Sequence, residues 1–111
     1  MAEKPVVWLG SSLEDLRNFP DDARRSAGHE IHLVQLGVEP SDWKPMTSVG
    51  PGVVELRIHT KLEHRVFYIA KFIEAIFVIH AFQKTTRKTK KHDIDLAKLR
   101  MADLIRQNSK R

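Results

Sequence analysis

VVELRIHTKLEHRVFYIAKFIEAIFVIHAFQ, residues 53–83, decides the fold. Within it Val54, Leu56 and Ile58 alternate with Glu55, Arg57 and His59, the period of a strand with one buried and one polar face. Thr60 to His64 is polar and short, as a hairpin connection requires. Arg65 to Lys71 is rich in β-branched and aromatic residues, and Ala75 to Phe82 is a third apolar run, with Glu74 near the turn between them. Three runs so spaced predict an antiparallel meander.

On the N-terminal side, residues 38–52 hold three prolines with glycine and serine breaks, and read as a loop of unusual length. Before it, Ala23, Ala27, Ile31 and Val34 recur at helical spacing. Pro20 suits the first turn of that helix, Asp21 and Asp22 suit the positive end of its dipole, and Gly37 suits its C-terminal cap. Ser12 and Asp15 resemble a capping box for a shorter helix carrying Leu13 and Leu16. Val6 to Leu9, closed by Gly10, predicts a first strand. On the C-terminal side, basic Thr85 to His92 precedes a helix expected to be capped by Asp93, with Ile94, Ala97, Met101, Leu104 and Ile105 on its apolar face. The order β-α-α-β-β-β-α predicts an α+β fold, an antiparallel sheet with helices packed on one face, in a single domain over residues 1–111.

A chain of 111 residues without cysteine has no disulfide or thiolate metal site to support it. The segment Met1 to Trp8 is too short and mixed for a signal peptide, and no run approaches the ~18 apolar residues of a membrane span. A cytoplasmic location and no membrane partner are expected. The net charge of +5 and a pI near 9.7 favour a polyanionic partner. The charge is divided unevenly: residues 1–56 hold five Lys and Arg against nine Asp and Glu, and residues 57–111 hold fourteen against five. The basic half is expected to gather on one sheet face, with acidic helices behind it.

The stretch from Val53 through QKTTRKTKK (residues 83–91), preceded by DWKPM (residues 42–46), resembles the HigB-like branch of the RelE/ParE toxins, a branch also found in phages. The resemblance runs from Val6 to about Ile105. It implies the toxin of a type II toxin-antitoxin system that cleaves mRNA, usually at the ribosome, without metal or small-molecule cofactor, and that a helix-turn-helix antitoxin neutralises. One branch of the superfamily instead inhibits DNA gyrase. A catalytically silent nucleic-acid-binding module of the same fold is a further alternative.

RNA cleavage by its own 2′-hydroxyl needs an aligned nucleophile, proton transfer, and cations fixed at the phosphate. Arg57 and Arg65 are placed side by side across the hairpin. Lys84 corresponds by resemblance to a basic position that the family uses. The plainer reading makes Arg57 and Arg65 solvated strand charges paired with Glu55 or Glu63. His59, on the face of Arg57, is the first choice for proton transfer. His80, in the series Ile76, Val78, His80 and Phe82, fits a core or cleft wall better. Where a typical RelE sequence has a lysine on the second strand, this chain has Glu55. Lys71, Arg87, Lys88, Lys90 and Lys91 are candidates for RNA backbone contact, Lys71 by sharing the strand parity of Arg65. The same parity sends Tyr68 into the core. His29 and His32 have a metal-compatible spacing but no third ligand in sight, so no metal site is expected.

Overall fold

The predicted meander forms the centre of the molecule. The computed structural model describes residues 3–109, with β1 (Val6–Trp8), α1 (Ser12–Arg17), α2 (Asp21–Gln35), β2 (Trp43–Pro45), β3 (Val53–His59), β4 (Glu63–Ile69), β5 (Ile76–Gln83) and α3 (Lys91–Ser109). One sheet carries all five strands in the order β1-β5-β4-β3-β2. β2 through β5 pair antiparallel, whereas β1 lies parallel to β5. The α+β class and the expected element order therefore hold, with one strand added: Trp43–Pro45, expected within a loop, pairs with Val54–Leu56 as a three-residue edge.

The helices divide between the two faces. α1 and α2 pack Leu16, Phe19, Ala23, Ala27, Ile31 and Val34 on Leu56, Ile58, Val66 and Tyr68. α3 packs Ala97, Met101 and Leu104 on Phe67, Ile69, Phe77 and Ile79 from the other side. The expectation of helices on one face holds for α1 and α2 and is corrected for α3. The physical reason lies in β4: Val66 and Tyr68 point one way and Phe67 and Ile69 the other, so both faces need apolar cover. Tyr68 is in the core as expected, and burial pushes its phenol up to about 12.

Local signals position these elements. α2 ends as predicted, in a reciprocal glycine cap. Gly37 adopts φ +76°, its N–H reaches Val34 O at 3.0 Å, and the Val38 N–H reaches Leu33 O at 2.9 Å. Pro20 stands one position outside α2 instead of in its first turn. The capping box expected at α1 does not form: Ser11 precedes the helix and its hydroxyl donates to the Asp15 carboxylate, while fully buried Ser12 donates to Val78 O. Gly10 is required twice over. It has φ +53°, and a Cβ there would lie 2.4 Å from Arg100 Nε. On α3, Ala97, Met101 and Leu104 are buried as expected, but Ile105 is half exposed.

One irregularity decides the site. Tyr68 pairs with Val78 but Phe67 pairs with His80, so Ile79 is an extra residue in β5. Simple alternation would keep His80 and Phe82 with Ile76 and Val78. The bulge transfers both to the α3 face, where Phe82 joins the cluster under α3 and His80 meets Asp93.

Candidate functional site

On the α3 face, the cross-strand register sets nine residues in three rows over β3, β4 and β5. Glu55, Phe67 and His80 form the row nearest α3. Arg57, Arg65 and Phe82 form the next. His59, Glu63 and Lys84 form the last, with Lys84 N donating to Glu63 O at 2.8 Å and so extending the ladder by one residue. α1 and α2 lie behind this face, bringing Glu14, Asp15, Asp21 and Asp22 with them. The same two helices also carry Arg17, Arg24 and Arg25, so acidic and basic side chains are mixed behind the sheet.

The aromatic row separates the charges from the apolar core beneath α3. His80 stacks on Phe82 at 5.0 Å, and Phe67 meets Phe82 edge-on at 5.2 Å. His80 is the cleft-wall histidine anticipated, although the bulge places it on the opposite face from Val78. Its Nε2–H donates to Asp93 at 2.7 Å, and its Nδ1 faces Arg100 at 3.4 Å. An arginine is only a donor, so this pair of contacts fixes the neutral tautomer. Burial holds the His80 imidazole below its ordinary value despite Asp93. Asp93 lies inside the first turn of α3, so its carboxylate serves His80 instead of capping the helix. Arg100 continues the chain of contacts to Ile79 O and to Ser11.

Arg57 and Arg65 are directly opposed, as predicted, and both are paired with carboxylates. Arg57 Nε donates to Glu55 at 3.0 Å, and Arg65 donates to Glu63 at 3.0 Å and to His64 O. The plainer reading therefore has the partners right and the solvation wrong. Arg65 is only 6% exposed and Glu55 only 2%, because both sit on central strands. Arg65 is no edge-facing surface cation. Arg57 keeps about a quarter of its side chain in solvent. Lys84 is half-buried, and its ammonium has no hydrogen-bond or ion-pair partner among the described residues.

His59 is held at both ring nitrogens, Nδ1 by Glu63 at 2.8 Å and Nε2 by Asp42 at 2.5 Å. Hydrogen bonding to Asp42 first, and then to Glu63, raises its pKa, while His59 lowers both carboxylates. An imidazole donating at both nitrogens is a cation, suited to giving a proton. The clamp also ties the segment before β2 to the β3–β4 turn.

This clamp has a pH signature. A histidine whose pKa is raised on folding contributes stability below its ordinary 6.5 and loses it as pH rises through the folded value. The two carboxylates, lowered from 3.8 and 4.5, contribute above those values and fail only as pH falls through their folded ones. The clamp is thus complete between about pH 4.5 and 6.5. His59→Gln is expected to destabilise the protein most near pH 5.5 and least above about pH 8.5, by no more than about 1 kcal/mol for so exposed a pair. Urea midpoints at the two pH values measure this, and an equal loss at both would refute the clamp. Buried His64 and His80, whose values are lowered, oppose folding as pH falls below 6.5, but they do so in both proteins.

The remaining candidates do not join the grid. Lys71 lies two residues beyond the end of β4, at the opposite end of the strand from Arg65, with its ammonium 5.8 Å from the Phe72 ring centre. Parity fails there because the chain has left the sheet. Arg87, Lys88 and Lys90 are exposed on the segment between β5 and α3, close in sequence to Lys84. Lys91 opens α3 and is paired with Asp95. His32 contacts Glu3. Sequence reasoning missed Asp42, Asp93 and Arg100 as parts of the site. The first two carried a signal only in combination, each being an acid that a histidine could reach.

A family model described as phage-derived protein Gp49-like (DUF891) matches residues 14–102, which include the whole grid and its clamps. No curated protein matches the chain.

Proposed function

The chain belongs to the phage-derived Gp49-like family, a RelE-like toxin family in the broad sense, and from that premise we propose that it is a HigB-like mRNA endoribonuclease acting on translated messages. The observation that carries this reading is the grid. Arg57 lies directly across from buried Arg65, and Lys84 stands in the next row beside Glu63, where His59 is exposed and Lys84 half-buried.

In the reaction proposed, the 2′-oxygen of one nucleotide bonds to its 3′-phosphorus, and the bond from phosphorus to the next 5′-oxygen breaks. The 2′-hydroxyl gives its proton to solvent water, and the departing 5′-oxygen gains one. Arg57 and Lys84 bind the non-bridging oxygens, where negative charge grows. His59, cationic between its two carboxylates, supplies the proton to the leaving oxygen. Arg65 is a positioning residue, holding Glu55 and Glu63 in register. Arg87, Lys88, Lys90 and Lys91 follow the RNA backbone, and Lys71, beyond the far end of β4, takes no part with them. A helix-turn-helix antitoxin covering the basic face would silence the enzyme, and the cytoplasm is its place of action.

Inducing the chain alone in bacteria is expected to arrest growth and shorten mRNAs within minutes. Purified protein is expected to cut mRNA on translating ribosomes, and a 2′-deoxy nucleotide at the cut position should abolish that cut. Intact transcripts beside inhibited DNA gyrase would overturn the reading in favour of a gyrase inhibitor. RNA binding without any cleavage would leave a silent binding module.

A further inference from the structure

Asp42 holds His59 by its Nε2, yet it stands outside every helix and strand, on the short passage from the glycine cap of α2 to β2. A carboxylate on so irregular a segment orients a histidine only where the backbone beneath it is fixed. Of residues 39–42, Pro40 has no N–H, and Ser41 alone has its N–H hydrogen-bonded among the described residues. The acceptor is Glu30 of α2, whose Oε2 lies 3.1 Å from Ser41 N. On the other side, the Arg57 N–H donates to Asp42 O at 3.0 Å. The backbone of Asp42 is therefore pinned on both flanks, by α2 through Ser41 and by β3 through its own carbonyl.

Glu30 is an unexpected residue for its place. It is only 7% exposed, on the helix face that carries Ala23, Ala27, Ile31 and Val34 into the core. A carboxylate there costs free energy unless it is hydrogen-bonded, and an apolar side chain would pack without that cost. Its charge is felt at the Tyr68 phenol, which burial raises first and Glu30 and Glu39 raise further. The one hydrogen bond its side chain makes among the described residues is the one from Ser41. Glu39 accepts from the Trp43 indole at 2.8 Å, but that bond lies at the surface.

We infer that Glu30 is a positioning residue of the proposed site: from behind the sheet it fixes the backbone at Ser41 and so places the Asp42 carboxylate on His59. The inference rests on the proposed cleavage of RNA, in which His59 supplies a proton. It makes α2, on the far face of the sheet, part of that proton chemistry.

The His59 titration in the full chain tests this without RNA, followed by its imidazole resonances and assigned by their loss in His59→Gln. Asp42 and Glu63 raise its pKa, Arg57 and Arg65 favour the charged Asp42, Arg65 favours the charged Glu63, and Lys84 shares its row. Substitution of Glu30 leaves all of these side chains in the protein. Glu30→Met keeps the length of the side chain but cannot accept from Ser41, and Glu30→Ala repeats the measurement should methionine disturb the packing. Both are expected to lower the His59 pKa by most of the fall that Asp42→Ala produces, and to add nothing in an Asp42→Ala background. Glu30→Gln, whose amide oxygen still accepts the Ser41 N–H, is expected to titrate as wild type. In cleavage, Glu30→Met is expected to lower kcat at least about threefold near pH 8 and not near pH 5.5, where His59 is protonated in either protein, with KM unchanged. A merely structural role would lower the urea midpoint and leave the His59 titration where it was. If RNA is not cleaved, a titration that falls in Glu30→Met and returns in Glu30→Gln still upholds the placement of Asp42 while the reaction falls. A wild-type His59 titration in Glu30→Met and Glu30→Ala overturns the inference, and so does an equal fall in the Asp42→Ala background, even where RNA is cleaved efficiently.

Discussion

Lys84→Ala is expected to slow RNA cleavage about a hundredfold to a thousandfold while changing folding stability little. A fixed cationic donor at a transition state that gathers negative charge is typically worth that much. Lys84 fits the case because its ammonium has no partner among the described residues, so its loss orphans no carboxylate. Its backbone, bonded to Glu63 O, stays in place. Arg57→Ala should fall in the same range, with some loss of stability because Glu55 would lose its hydrogen bond. Arg65→Ala is the less informative variant, since a buried guanidinium is removed and fold and site are disturbed together. Single-turnover rates on a ribosome-bound message, with urea midpoints alongside, distinguish these cases. A Lys84→Ala protein that cleaves at the wild-type rate removes Lys84 from the site.

Glu55→Ala is expected to be the most destabilising single change in the grid, by about 3–5 kcal/mol. Glu55 is 2% exposed, accepts from Arg57 Nε, and lies 4.0 Å from Arg65 Nε, which has no hydrogen-bond partner among the described residues. Without the carboxylate, Arg65 becomes a buried charge with Glu63 as its remaining counterion. For a domain whose total stability is about 5–15 kcal/mol, that is a large fraction. Replacing Glu55 and Arg65 together with methionine should recover much of the loss, because an apolar pair of similar volume needs no compensation. Equilibrium urea unfolding measures all three proteins. Unchanged unfolding of Glu55→Ala would mean that the paired charges in the grid contribute nothing to the fold.

Much of this arrangement was legible in the sequence, and where it failed the reasons are specific. Alternation over Val54–His59 put Arg57 on the polar face beside Arg65, because a one-residue slip would turn Leu56 and Ile58 out of the core. Gly37 ended α2 as read, because a left-handed residue at a helix end favours glycine. Alternation could not foresee Ile79 as an extra residue, since a bulge depends on the partner strand, and the face of His80 was lost with it. Trp43–Pro45 lacks any strand period of its own and exists by pairing with β3. Glu55 read as a departure from a lysine position on the polar face of its strand, whereas it is buried beside two arginines. The clamp on His59 joins Asp42 to a turn seventeen residues later, a distance that no local pattern spans.

β1 carries a consequence for how the protein is made. Its partner in the sheet, beginning at Ile76, is synthesised seventy residues after Val6, and Arg100, which reaches back to Ser11, comes later still. At ordinary elongation rates of ~5–20 residues per second, the first strand waits roughly 4–14 s for the residues that complete its edge. The grid needs β3, β4 and Lys84 together, and its aromatic wall is secured only when Asp93 and Arg100 have emerged. A nascent chain that ends before Ile76 has neither a closed sheet edge nor His80, and one that ends before Asp93 has the edge but no anchor for His80. Each element of the grid and its wall is therefore completed by residues made long after the first strand it leans on.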